Sequence, residues 1–177
     1  MIVTFEKYGI DSIKEKYAWR ICDLMIVNAE RFKRYFPLTL EQNLTPDLSK
    51  YFVEKKVKEF NKKEEFLFVL KSISESKLIG LIYIKELDWV KKQAELAYCI
   101  DYQYTGQGIT TEAVQYLSNY AFKNLGLSSL QIIVHKSNSA SIKVAKKCGY
   151  IWKQTLEKEH KPPNEAPLDM ELYELYK

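Results

Sequence analysis

The chain has 177 residues, which suits one domain able to bury a core without disulfide or metal staples. Its residues are 46% hydrophobic and 28% charged, the profile of an ordinary soluble globular protein. The formal net charge of +4 is spread along the chain; it mildly favours an anionic ligand and argues against a dedicated nucleic-acid binder.

Met1 to Glu6 lacks a basic stretch followed by an apolar run, so no signal peptide is expected, and no apolar run approaches the ~20 residues of a membrane span. Met1 to Phe5 alternates and predicts a short first strand. Ser12-Ile13-Lys14-Glu15 has the form of a capping box and predicts a helix to about Arg34, with Ile13, Tyr17, Ile21, Leu24 and Val27 along one stripe. Thr45-Pro46 predicts the start of a second helix, whose apolar face is Tyr51, Phe52, Val53, Val57 and Phe60. The run of Lys55, Lys56, Lys58, Lys62 and Lys63 among Glu54, Glu59, Glu64 and Glu65 reads as a solvated face of that helix.

The period then changes. Phe66 to Leu70 and Leu78 to Ile84 predict a hairpin across the polar turn Ser72 to Lys77. Ala94 to Asp101 is a further strand. After Gly106-Gln107-Gly108 a helix runs from Thr110 to about Leu125 and stops at Gly126. Leu130 to His135 predicts a buried strand, and Asn138 to Cys148 a short helix closed by Gly149. Tyr150 to Leu156 and Leu168 to Tyr176 are the last strands, around a loop from His160 to Pro167. The order β-α-α-β-β-β-α-β-α-β-β predicts one domain over residues 1–177, an α+β or α/β protein with a seven-stranded mixed sheet and a right-handed parallel unit at its centre.

Cys22, Cys99 and Cys148 are far apart, with no Cys-x-x-Cys pair and no His/Cys cluster. Neither a disulfide framework nor a metal site is expected, which fits a reducing cytoplasm. His135 and His160 are isolated and read as structural, and Cys99 reads as a core thiol because no adjacent base is visible.

The glycine turn carries the chemistry. The first N–H groups of a helix lack partners and carry partial positive charge, and glycine lets an anion approach the backbone. Gly106, Gln107, Gly108, Ile109, Thr110 and Thr111 offer such a phosphate cradle; a plain strand–helix connection is the competing reading. No lysine follows as a P-loop requires, and Thr111 stands where a dinucleotide fingerprint needs its third glycine.

Over its whole length the sequence resembles the GNAT superfamily of N-acetyltransferases, and within it the branch that acetylates ribosomal-protein N-termini. The resemblance is carried by Ala94 to Asp101, by Tyr104-Thr105-Gly106-Gln107-Gly108-Ile109-Thr110-Thr111-Glu112-Ala113, by Asn138-Ser139-Ala140-Ser141-Ile142 with Lys147-Cys148-Gly149-Tyr150, and by Asp169 to Tyr173. Gln103-Tyr104-Thr105-Gly106-Gln107-Gly108 fits the family's phosphate pattern literally. Anchoring on Asp101 and Glu112-Ala113 instead makes Gly108 the central glycine and puts Thr110 in the place of a small residue.

The resemblance implies acetyl-coenzyme A as co-substrate, no metal, and a sheet splayed between its fourth and fifth strands. It implies pairing of the pantetheine arm with the backbone of Tyr98, Cys99 and Ile100, with Asn138 and Ser141 beside it. It implies direct attack of an amine on the thioester, without a covalent enzyme intermediate. The family's usual tyrosine acid falls on Ala145, so Ser141 is the substitute for protonating the thiolate. Glu95 is the expected base, acting through water, with a merely solvated strand carboxylate as the other reading. The acceptor is a primary amine, either a protein N-terminus or a small amine, with residues near Tyr35-Phe36-Pro37 lining its pocket by analogy. Neither a membrane nor a nucleic acid is expected as partner, and the chain is a monomer or homodimer. A non-catalytic acyl-CoA sensor or scaffold on the same fold is the alternative.

Overall fold

The computed structural model describes residues 2–177; Met1 lies outside the described residues, and the first strand, β1, is Val3–Phe5. The elements that follow are β2 (Tyr8–Ser12), α1 (Ala18–Val27), α2 (Ala29–Phe32), α3 (Pro37–Glu41), α4 (Pro46–Lys62), β3 (Phe66–Ser72), β4 (Lys77–Asp88), β5 (Gln93–Ile100), α5 (Ile109–Asn124), β6 (Ser129–Val134), α6 (Ser139–Lys147), β7 (Ile151–His160) and β8 (Leu168–Tyr176). The strands form one mixed sheet in the order β1-β2-β3-β4-β5-β6-β8-β7. It has eight strands where seven were expected, and the extra one is β2. The chain contacts cluster into two compact units. One comprises the residues up to Tyr83 with Tyr98–Thr105, the other Ile84–Ala97 with Gly106–Lys177.

In the first unit, β1, β2 and β3 pair antiparallel, with Val3 opposite Ile10 and Ser12 opposite Phe68. Ser12 therefore ends a strand and caps no helix. A single 3-10 turn, Glu15–Tyr17, follows, and α1 starts only at Ala18. Burial decides this against the local capping pattern. Ile10 is fully buried, and Asp11, 3% exposed, accepts hydrogen bonds from Lys14 Nζ (2.8 Å) and Tyr17 Oη (2.6 Å). Burial alone would raise the Asp11 pKa, but the bonds from Lys14 and Tyr17 outweigh it and hold the carboxyl well below the usual range. The expected long helix is also broken at Asn28, between α1 and α2.

Helix α4 starts as expected. Pro46 occupies its first turn, and Thr45 Oγ1 accepts from Leu48 N–H (3.3 Å). Phe52 and Val53 face the core, but Tyr51 is 71% exposed, on the outer side of the same turn. Nor is the lysine-rich face wholly solvated, because Lys56 is half-buried between Glu59 (2.8 Å) and Glu65 (2.6 Å).

Gly80 sits where β4 passes β5. A Cβ there would stand 2.7 Å from the Cys99 carbonyl oxygen, a backbone atom that cannot rotate away. Gly80→Ala is therefore expected to destabilise the protein by about 1–3 kcal/mol through overpacking. A urea midpoint equal to that of the wild type would contradict so close an approach of the two strands.

In the second unit, β6 pairs antiparallel with β8 over Ser129–Val134, and β8 pairs with β7 on its other side. Ala113, Val114, Leu117 and Ala121 bury one face of α5, and Gly126 follows the helix at φ +71°. β7 extends to His160, so that histidine ends a strand, whereas a loop was expected there.

Candidate active site

The glycine turn follows a tightly held strand end. Asp101, 1% exposed, forms an ion pair with Lys77 Nζ (2.9 Å), accepts a hydrogen bond from Gln103 N–H (3.1 Å) and opens the 3-10 turn Tyr102–Tyr104. Tyr104 Oη donates to Glu75 (2.6 Å); burial, then that carboxylate, push its phenol up to about 12.

Gly106 and Gly108 then adopt φ of +78° and +82°, a region that side chains strain to reach. A Cβ on either would meet nothing within 4 Å, so the backbone conformation demands glycine and the space around it stays open. Gly108 is the N-cap of α5, without a side-chain cap. The first bond into the helix is from Glu112 N–H to the Gly108 carbonyl (3.1 Å). The N–H groups of Ile109, Thr110 and Thr111 therefore have no acceptor within the helix. Ile109 is buried and contributes backbone only, Gln107 is exposed, and the Thr111 carbonyl accepts from Cys148 Sγ (3.5 Å). Open space, unpartnered amides and the positive end of a 16-residue helix fit a diphosphate.

β5 leaves its parallel partner early. Gln93, Ala94 and Glu95 register with Ser129, Leu130 and Gln131, while Leu96 and Ala97 have no registered partner on β6 among the described residues, although both strands continue. Further along, in the first unit, Asp101 N–H donates to the Ile79 carbonyl (2.7 Å), and the Cys99 carbonyl approaches Gly80. Backbone groups alternate along a strand, so Cys99 presents its own to β4, whereas Tyr98 and Ile100 present theirs at the opposite edge. Of the three residues expected to offer a ligand their backbone, Cys99 therefore turns its own toward β4. The Cys99 thiol is buried, which pushes it up to about 12, and it is no nucleophile at neutral pH.

In the second unit Asn138 is the N-cap of α6. Its Oδ1 accepts from Ser141 N–H (3.2 Å), which leaves the amide N–H groups to act as donors. Ala145, in the place of the missing tyrosine, is fully buried, and its carbonyl accepts from Tyr150 N–H (3.0 Å). The Glu95 side chain is only 14% exposed and pairs with Lys85 (3.1 Å), so it is not a solvated carboxylate. Burial raises its pKa, Lys85 opposes this, and Glu86 and Glu159 raise it further. Glu95, the turn from Gly106 to Thr111, Asn138 and Ser141 thus belong to one compact unit, and Tyr98 to Ile100 to the other. Sequence reasoning missed Arg31, whose Nη1 donates to the Ile100 carbonyl (3.2 Å); a contact across 69 residues leaves no local signal. Among the described residues no group of three or more His, Cys, Asp or Glu could hold a metal ion, and no helix is long and apolar enough to cross a membrane.

A mixed sheet whose parallel pair parts, followed by a glycine turn into a helix, defines the N-acetyltransferase class, and the comparisons agree. The acetyltransferase (GNAT) domain family matches residues 14–151, and the chain belongs to that family. YdaF of Bacillus subtilis (strain 168) is 27% identical over 154 residues, covering 82% of this chain and 79% of its own. The ribosomal-protein-S5-alanine acetyltransferase from Vibrio fischeri shares the fold at a TM-score of 0.92 and 23% identity, over 98% of this chain and 95% of its own. So does RimL, the ribosomal L7/L12 alpha-N-protein acetyltransferase, solved in complex with coenzyme A, at a TM-score of 0.88 and 15% identity, over 99% and 97% of the two chains.

Proposed function

We propose that this chain, as one catalytic domain, transfers the acetyl group of acetyl-coenzyme A to the α-amino group of a protein N-terminus. The observation that carries the reading is the parting of β5 from β6 just before a helix whose first amides are unpartnered. Acetyl-coenzyme A supplies the activated thioester. The N–H groups of Ile109, Thr110 and Thr111 hold the diphosphate, helped by the glycines and Gln107 and by the hydroxyls of Thr110 and Thr111. The backbone of Tyr98 and Ile100 pairs with the pantetheine arm, and the amide N–H of Asn138 donates to it. The Tyr98 N–H meets the oxygen on which negative charge develops.

Glu95 takes the proton of the attacking amine through a water molecule, and its raised pKa brings it nearer to working pH, as a base requires. Ser141 delivers a proton to the departing thiolate. Binding geometry contributes much of the rate. The names of the relatives support this acceptor: both structural relatives described above are named for ribosomal-protein acetylation, one at an α-amino group. The cytoplasm suits three cysteines that are all free thiols.

Heavy-labelled acetyl-coenzyme A offered with N-terminal peptides of ribosomal proteins, polyamines and small amines, read by mass spectrometry, tests the assignment. The expected label lies on a peptide α-amino group. Label confined to polyamines or small amines overturns the acceptor, and an intact thioester with every amine returns the chain to a binding role.

A further inference from the structure

We propose that Arg31 and Asn28 are positioning residues for the donor site, clamping the end of β5 at Ile100 and Tyr102; this rests on the acetyl-coenzyme A reading above. Asn28 is polar yet only 2% exposed, and it sits at the break between α1 and α2. Its Nδ2 donates to the Leu24 carbonyl (3.0 Å), while its Oδ1 accepts from Tyr102 N–H (2.9 Å) and from Arg31 Nη1 (3.2 Å). The same Arg31 nitrogen donates to the Ile100 carbonyl (3.2 Å).

Three consecutive residues are thereby gripped from different directions. Ile100 is held by Arg31, Tyr102 by Asn28, and Asp101 between them by Ile79 and Lys77. The grip matters because of where it falls in the chain. Ile100 is the last residue presenting backbone at the edge away from β4, and Gly106 lies only four residues beyond Tyr102. Positioning this strand end in advance removes ordering that binding would otherwise require. The interruption at Asn28 gains a purpose on this reading. The Asn28 backbone N–H still donates to the Leu24 carbonyl (3.3 Å), as in a helix. At the break, its side chain serves β5 and its carbonyl starts α2 by accepting from Arg31 and Phe32 N–H (2.9 and 3.0 Å).

Asn28 is buried in three side-chain bonds, so its replacement risks unfolding. The exposed Arg31 is the better probe. Calorimetry with acetyl-coenzyme A, steady-state kinetics and thermal melting compare the wild type with Arg31→Ala and Arg31→Lys. Arg31→Ala should weaken acetyl-coenzyme A binding about tenfold, as loss of a charge-assisted bond implies, with kcat at saturation within about twofold. Arg31→Lys should recover most of the affinity, because an ammonium still donates to the Ile100 carbonyl. Unchanged affinity in Arg31→Ala overturns the clamp, as does a lowered melting temperature with no change in KM. A wild type without affinity for acetyl-coenzyme A would overturn the functional reading first and the clamp with it.

Discussion

Gly108→Glu is expected to abolish acetyl-coenzyme A binding in a protein that still folds. Two effects separate cleanly at this position. The first is backbone strain. Gly108 has φ +82°, and a side chain there costs on the order of 1–3 kcal/mol. The second is charge. A carboxylate beside a bound diphosphate meets like charge at about 4 Å, an energy of ~4 kcal/mol at an effective dielectric near 20, or about a thousandfold in affinity. The same carboxylate lies favourably toward the positive end of α5, so the charge itself does not threaten the helix. Gly108→Ala carries the strain without the charge and serves as the control. Its Cβ meets no protein atom within 4 Å. Calorimetry should find binding weakened in the alanine variant and lost in the glutamate variant, with melting curves showing both folded. A folded glutamate variant that binds as the wild type does would remove the turn from the site.

Glu95→Gln carries the second large effect, a fall in kcat of about a hundredfold or more, the scale of a lost general base. The pH profile is the sharper readout. Burial raises the pKa of Glu95, Glu86 and Glu159 add to this, and Lys85 offsets part of it. A base must be ionised to work, so wild-type activity should fall as pH drops through the raised value, and the variant should lack that limb. The advantage of the wild type therefore shrinks in acid. Stability has the matching sign. The folded protein favours the protonated carboxyl more than the unfolded chain does, so this group's contribution is present at low pH and is lost as pH rises from the ordinary glutamate range through the raised value. Glu95→Gln should flatten that slope and be no less stable than the wild type at neutral pH. Matching pH–rate profiles for the two proteins would exclude Glu95 from proton transfer.

Legibility in the sequence followed the range of the forces involved. Thr45 and Pro46 announce α4, and Gly106 and Gly108 announce a turn of positive φ, because a cap or a glycine acts within a few residues. The Ser12–Glu15 pattern misled for the opposite reason. Its local capping energy is about 1 kcal/mol, and it lost to pairing of β2 with β3 and to burial of Ile10 and Asp11, which involve residues nearly sixty positions away. Tyr51 was misplaced because the helical period alone sets the width of an apolar stripe only loosely.

The sequence by itself determined the mixed α/β class, most of the element order, and a helix that begins on bare amides after a glycine turn. These depend on the period of apolar residues and on which side chains permit a given φ. Only the tertiary structure decided that Cys99 turns its backbone toward β4, that Glu95 is buried against Lys85, that Gly80 admits the neighbouring strand, and that Asn28 and Arg31 grip the end of β5. Those outcomes depend on strand edges and on partners up to 74 residues apart in the chain, and folding alone brings such groups within hydrogen-bond reach.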